Sequence, residues 1–432
     1  MNIAELHALY IQHPIICTDT RKVSNGCLFF ALKGDKYNAN QFANEAINSG
    51  AAFAIIDEKE FEISQKTIFV NNVLETLQQL ATFHRDSLNI PVIAIVGSNG
   101  KTTTKELITS VLKQKYKVIA TPGNFNNHIG LPLTILQITK EHEIAVIEMG
   151  ANHVGENAFL CEIARPNYGV ITNNGKDHLE GFGSIEGVAQ SNAELYTYLL
   201  KNNGIAFVNA NDEWLMRMAI QLKNKITYAA NFEGRNGSAK ITCLARTLQP
   251  LINFYIADYG KNIVANLSGD YNFDNIATAV AMGLYFKIRP NKIGAGIVSY
   301  LPSNNRSEVI NKEFNTVYMD AYNANPSSVE AALKNFAAMP FSNKTVILGD
   351  MFELGKYAAK EHQYIVDLCR SLKLKNVFLC GENFMKTTNH FHAFNTTKEC
   401  KEFLTANSLF RANVFIKGSR SMRLEDLLEV ID

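Results

Sequence analysis

Short apolar runs recur along this chain, and each stops at a loop rich in Gly, Asn or Asp. Near the amino end, "CLFFAL", "AAFAIID" and "TIFV" predict short strands, and the intervening "ANQFANEAINSG" predicts a helix ending on Gly50. The polar stretch "HRDSLNIP" gives way to "VIAIVG", a β-branched run that breaks at Gly97. It passes into a helix with Leu107, Ile108, Val111 and Leu112 on one face. "KVIATPG", "IAVIEMGA" and "YGVITNNG" repeat the same strand-then-loop arrangement. Strands buried on both faces and alternating with helices predict a doubly wound, mostly parallel sheet whose ligands sit outside the strands' carboxyl ends.

The section from about 204 to 268 is richer in strand patterns, and "GDYNFDNIATAVAMGLYF" returns to a helix. After "SYLPSNNRSE" the pattern restarts with "TVYMDAYNANPSS", "KTVILGDMFELG", "NVFLCGEN" and "NVFIKGSR". The predicted fold class is therefore α/β in three domains: a small amino-terminal α/β unit at 1–84, a central doubly wound sheet with a phosphate-binding loop at 85–300, and a Rossmann-like unit at 301–432. A chain of 432 residues fits that count, since single cores seldom exceed about 250–300 residues.

Composition narrows the function classes. With 42 Lys+Arg against 41 Asp+Glu, the chain offers no electrostatic case for nucleic acid or an anionic membrane. No apolar run approaches the ~20 residues of a membrane span, and the amino end lacks a secretory leader pattern, so no membrane insertion and a cytoplasmic location are expected. The seven cysteines are scattered and never form C-x-x-C, which argues against a disulfide frame or a zinc site.

In Gly97-Ser98-Asn99-Gly100-Lys101-Thr102-Thr103, the glycines let successive N–H groups face one point beside the positive end of the next helix. Lys101 suits β/γ-phosphates, and the Thr102 or Thr103 hydroxyl can ligate Mg²⁺. The spacing, G-x-x-G-K-T, is shorter than that of the standard P-loop. A plain Gly-rich turn with a solvated lysine is the alternative, and the strand before and helix after favour a nucleotide triphosphate. Glu148 and His178 are read as lying on adjoining strand ends beside this loop, where both can reach a metal. "TPGNFNNHIG" can orient a polar substrate or be only a capped turn. Arg306 and Asp320, at the entry to the last domain, suit phosphate and ribose or are ordinary loop residues.

Taken in order, "GSNGKTT", "TPGNFNNHIGLPLT", "IEMGA", "ITNNG" with "DHLEGFGS", "GDYNFDN", "MDAYNANPSSVEAAL", "LGDMFELG" and "KGSRSM" resemble the Mur ligase family of ATP-dependent amide-bond ligases. "DAYNANPSS", "GDMFELG" and "KGSRSM" resemble the members that attach D-alanyl-D-alanine to UDP-N-acetylmuramoyl-tripeptide. The resemblance implies ATP and Mg²⁺ as cofactors, those two substrates as partners, and a monomer. It gives the UDP-sugar peptide to the first domain, ATP to the second and the dipeptide to the third. It assigns Lys101 and Thr102 to phosphates and a first Mg²⁺ with Glu148, and His178 to a second Mg²⁺. Asn275 falls to adenine, with Arg306 and Asp320 completing the nucleotide site. Asp19, Thr20 and Arg21 match the sugar-binding motif, though "KYNANQF" stands where the family often has Asp-Gly-His. Asn124, Asn126 and Asn127, and then Asn323, Asn325, Lys417, Ser419 and Arg420, are expected to face substrate.

One position departs from the pattern. Where the family carries a carbamylated lysine in A-K-G-E, the aligned stretch is "AQSNAELY", with Asn192 at the lysine and Glu194 at the glutamate. Lys176 or Lys201 is the substitute if the alignment slips, and Lys176 is the better placed. Rival functions are a ligase adding a single amino acid or extending folate, a nucleotide-binding protein without ligase activity, and a small-molecule phosphotransferase.

Overall fold

The computed structural model describes all residues except 64, 233–238 and 258. Its described residues build three main sheets. The first orders Ile16–Cys17, Leu28–Phe30, Phe53–Ile56 and Thr67–Phe69, all parallel. The central sheet runs from Ile263–Val264 through Asn253–Ile256, Ile241–Thr247, Lys225–Phe232, Ile205–Asn209, Tyr168–Ile171, Val92–Val96 and Ile144–Glu148 to Val118–Ala120. Its pairings are parallel except those at Asn253–Ile256, which runs against both neighbours. The third sheet orders Glu308–Asn311, Thr316–Asp320, Asn413–Lys417, Lys344–Gly349, Asn376–Cys380 and His392–Phe394, with one antiparallel pair at the Glu308–Asn311 edge.

Val92–Val96 is fully buried, as its unbroken apolar sequence requires. The chain leaves it towards Ile144–Glu148 on one side and returns at Tyr168–Ile171 on the other. That reversal is a switch point of the sheet, where a crevice opens beyond the strands' carboxyl ends. Gly97–Gly100 follow directly, and helix Lys101–Leu112 buries Leu107, Ile108, Val111 and Leu112 beneath them.

The units share cores. Helix Val73–Ser87 puts Leu77, Leu80 and Ala81 between the first sheet's Leu28, Phe30 and Ile55 and the central sheet's Val92, Ala94 and Ile147. The sequence boundary near residue 85 thus falls inside this helix. Arg85 is buried there, donating to the carbonyls of Ala164, Leu88 and Arg165 and to Asn167 Oδ1 at 3.0–3.1 Å. On the other side, Leu179 and Val188 of the central unit join Met351, Leu354 and Phe336 in one cluster of the third. Among the described residues no helix is long and apolar enough to cross a membrane.

Because Arg85→Ala leaves the buried Ala164 carbonyl and three half-buried acceptors without this donor, it is expected to lower unfolding free energy by about 2–3 kcal/mol, read from denaturant midpoints. A midpoint equal to wild type would show that this guanidinium does not clamp the helix to the sheet.

Candidate active site

The phosphate loop is seated on the loop that follows Tyr168–Ile171. Ser98 N donates to Asn173 O (3.0 Å), Asn99 N to Asn173 Oδ1 (3.1 Å) and Asn173 Nδ2 back to Asn99 O (3.0 Å). Gly175 N donates to Ser98 Oγ at 2.8 Å. Gly97 has φ +129°, and a Cβ there would overlap Thr172 Oγ1 and stand 2.9 Å from Thr172 N. Gly100, at φ +79°, lies against Asn275, whose Oδ1 would be 2.7 Å from an added Cβ. Glycine is required at both positions by conformation and by space. Lys101 Nζ donates to the carbonyls of Gly97 and Ser98, at the mouth of the loop.

Glu148 ends its strand beside this loop and is buried. Its Oε1 accepts from Asn126 Nδ2 (2.9 Å) and Thr102 Oγ1 (3.2 Å), and its backbone N–H donates to Thr121 Oγ1 (2.9 Å). Oε2 is buried with no hydrogen-bond partner, and the buried Lys105 Nζ stands 4.0 Å away. An orphan carboxylate oxygen beside a threonine hydroxyl and a phosphate cradle is a donor set suited to Mg²⁺, so these residues fit that ion. Asn127 instead accepts from Ile129 N and Gly130 N in the turn leading into helix Gly130–Ile135, and Asn124 is exposed.

Glu148 and His178 do not stand on adjoining strands. Val92–Val96 pairs with both Ile144–Glu148 and Tyr168–Ile171 and separates them, because the sheet order reverses there. Among the described residues no three His, Cys, Asp or Glu side chains converge as a preformed metal site. His178 Nδ1 lies 2.7 Å from Glu353 Oε2 of the third unit, and that hydrogen bond is the main reason the Glu353 carboxyl is held below the usual range. Asp177, beside it, has a buried Oδ1 with no partner. Asn192 is buried and donates from Nδ2 to Asn174 Oδ1 (2.8 Å). Glu194 accepts from Gly155 N and Ala158 N at the start of helix Glu156–Ala164. Lys176 is committed elsewhere, to both oxygens of Glu361 at 2.8 and 2.9 Å, and Lys201 is exposed.

The third unit reaches the loop through Asn325, which caps helix Pro326–Ala338 and donates from Nδ2 to Asn99 Oδ1 (2.8 Å). Arg306 lies over the Tyr322 ring, 3.5 Å from its centroid, and Arg420 donates to the Tyr322 hydroxyl (3.2 Å). Asp320 accepts from Lys417 Nζ (2.6 Å) and Ser307 N (3.2 Å). Lys417 is buried and also contacts the carbonyls of Asp320 and Asn323, so it supports Asp320 from beneath. Asn323 accepts from Ala324 N, and Ser419 accepts from Phe352 N. Asn275, buried, accepts from Thr104 Oγ1 (3.0 Å) behind the loop. In the first unit, Asp19 caps the turn Thr20–Lys22 and holds Arg21 at 2.8–2.9 Å, a contact that draws its carboxyl down to about 2.

A cavity of about 910 Å³ opens beside the same loop, lined by Thr172, Asn173, Trp214, Met218 and Asp274 among others. Burial pushes Asp274 up to about 7, against a hydrogen bond from Asn209 Nδ2 (3.0 Å) that opposes the shift. This cavity and Glu353 were not singled out from the sequence. Their members lie far apart in the chain and share no spacing.

Comparison with known proteins gives two family matches: the Mur ligase middle domain over residues 95–283, and the Mur ligase, glutamate ligase domain over 305–414. The UDP-N-acetylmuramoyl-tripeptide–D-alanyl-D-alanine ligase of Bacillus subtilis is 32% identical over 430 residues, 96% of this chain and 92% of that one. The ligase of that name from Escherichia coli is 30% identical over 452 residues, 99% of this chain and 95% of that one. Among solved structures, MurF from Acinetobacter baumannii superposes with TM-score 0.84 at 28% identity, covering 96% of this chain and 92% of that one. MurF ligase from Thermotoga maritima in complex with ADP gives 0.85 at 26%, covering 96% of each.

Gly97→Ala is expected to weaken ADP binding about 100-fold by calorimetry, since the added methyl meets backbone at Thr172. Unchanged affinity would detach the loop's seat from nucleotide binding. Asp274 supplies a pH test: a carboxyl raised in the folded state stabilises below its unfolded value and loses that contribution as pH rises through about 7. Asp274→Asn should therefore raise the denaturation midpoint strongly at about pH 8 and by clearly less at about pH 5, which lies between the unfolded and folded values. An equal effect at both would contradict the buried, protonated carboxyl.

Proposed function

The chain belongs to the Mur ligase family, and on that premise we propose that it is an ATP-dependent ligase joining D-alanyl-D-alanine to UDP-N-acetylmuramoyl-tripeptide in peptidoglycan precursor synthesis. The observation that carries the reading is the full-length similarity to ligases of that name, supported by a phosphate loop, a half-satisfied carboxylate and a third unit meeting in one cleft. We infer a monomer working in the cytoplasm, where a nucleotide-linked precursor and ATP are both available.

The terminal carboxylate of the tripeptide attacks the γ-phosphorus of ATP, ADP leaves, and an acyl phosphate forms. The dipeptide amine then attacks the carbonyl carbon, and the tetrahedral intermediate loses a proton from nitrogen and expels inorganic phosphate. Two anions must approach each other in the first step, so catalysis is mainly positioning and charge neutralisation. The N–H groups at the head of the helix, Gly100–Thr103, cradle the phosphates while Asn173 takes those of Ser98 and Asn99, and Lys101 turns its ammonium from the loop carbonyls to the β/γ-oxygens. Asn126 holds Glu148 in place. Mg²⁺, held by Thr102 and Glu148, would neutralise further phosphate charge. Asn275 keeps Gly100 and the head of the following helix in register, while Arg306 and Asp320 take the nucleoside end from the junction of the units.

Asn192 sets this chain apart within that scheme. An amide hydrogen-bonded to Asn174 offers no amine for carbon dioxide to modify. Turnover is therefore independent of bicarbonate, and any second Mg²⁺ relies on His178 Nε2, substrate oxygens and water.

Phosphate release tests the reading, measured with ATP, Mg²⁺ and the UDP-tripeptide, the dipeptide or both. The peptide amide should form only with both, and removing bicarbonate should leave the rate unchanged. Lys101→Ala should cost roughly 10²–10³-fold in kcat. ATP hydrolysis at full rate without the UDP-tripeptide, and no amide, would overturn the reading. Strong bicarbonate dependence would overturn the role given to Asn192.

A further inference from the structure

His178 and Glu353 meet across two units of the fold, and both hold a backbone conformation that side-chain-bearing residues rarely adopt. His178 has φ +46° and ψ +38°, and Glu353 has φ +62°. A left-handed residue that is not glycine costs of order 1 kcal/mol or more, and it persists where surrounding contacts impose it. The contacts here are specific. Glu180 N donates to Glu353 O (3.1 Å), and the Tyr357 hydroxyl donates to Gly183 O (3.0 Å). Leu179 is buried in the third unit's cluster with Met351 and Leu354. The short helix Leu179–Phe182, which His178 begins, is thereby pinned to the loop that carries Glu353.

We propose that Glu353 is a positioning residue for His178: its carboxylate takes the Nδ1 hydrogen, fixes the ring, and leaves Nε2 as the nitrogen that serves the reaction, and does so only while the third unit is docked. The inference rests on the ligase reading, in which His178 serves the phosphate-transfer site. An isolated ion pair of this exposure would contribute little to stability, because the Glu353 side chain is 55% exposed and screened. Its effect is on direction. A carboxylate bonded to one ring nitrogen sets the tautomer and orientation of the other, and removing such a partner typically costs 10–100-fold in activity. Because the partner comes from the unit assigned to the incoming dipeptide, the histidine is in place only when that unit has closed. Acyl phosphate then forms where the amine can reach it.

The test compares Glu353→Ala and Glu353→Gln in the full chain. The alanine variant should lower kcat about 10–100-fold with the KM for ATP unchanged within about twofold. Glutamine, which still offers an oxygen to Nδ1, should recover most of the loss. Hydrogen exchange without substrates gives an independent reading: amides 178–183 should exchange faster in the alanine variant and as in wild type with glutamine. Wild-type kcat in Glu353→Ala, equal loss in both variants, or unchanged exchange at 178–183 would each overturn the proposal. Failure of the ligase reading looks different, since wild-type enzyme would then form no amide while the exchange difference persisted.

Discussion

The seat of the phosphate loop against Thr172–Gly175 is the constraint on which the rest depends. Gly97 must be glycine because Thr172 occupies the space of a side chain, and Asn173 closes three hydrogen bonds with Ser98 and Asn99. Asn99 then offers its own Oδ1 to Asn325. One asparagine thus links the central sheet's phosphate cradle to the third unit, and the Thr172–Gly175 loop continues into Lys176 and His178, which bind that unit at Glu361 and Glu353. The phosphate loop and the docking of the third unit thus share one short stretch, Asn99 and Thr172–His178.

Charge is managed in the same economical way. Glu148 is buried with one oxygen satisfied by Asn126 and Thr102 and the other without a hydrogen bond, 4.0 Å from the buried Lys105 ammonium, which donates to the Thr121 carbonyl. A carboxylate oxygen buried without a hydrogen bond is costly inside a protein and is retained where a cation or substrate group supplies the missing partner. Asp320 is treated differently, since Lys417 neutralises it from the buried side and leaves its outer edge to the domain junction. Asn192 is neutral and bonded to Asn174, and so adds no charge to the site.

Much of this was legible in the sequence because strands buried on both faces and Gly-rich turns are local signals. "VIAIVGSNGKTT" alone indicates strand, cradle and helix, and Leu107, Ile108, Val111 and Leu112 are buried as the period requires. The order of the strands was not legible. Placing Glu148 and His178 on adjoining strands failed because the switch at Val92–Val96 is set by pairing, which leaves no local trace. Lys417, expected from the sequence to face substrate, is buried and bonded to Asp320, a partner that comes from a neighbouring strand far away in the chain. Glu353 was hidden for the same reason: within "LGDMFELG" nothing marks its left-handed backbone or the histidine it meets.

In the ligase proposed above, this one cradle transfers phosphate to the tripeptide carboxylate before any amine arrives. Positional isotope exchange tests it directly, with ATP labelled by ¹⁸O in the β,γ-bridge and incubated with enzyme, Mg²⁺ and UDP-tripeptide but no dipeptide. Reversible acyl phosphate formation predicts that the label migrates from the bridge to the non-bridging β-oxygens, and that migration stops when the UDP-tripeptide is omitted. Amide formation at full rate on adding the dipeptide, with no prior migration of label, would contradict it.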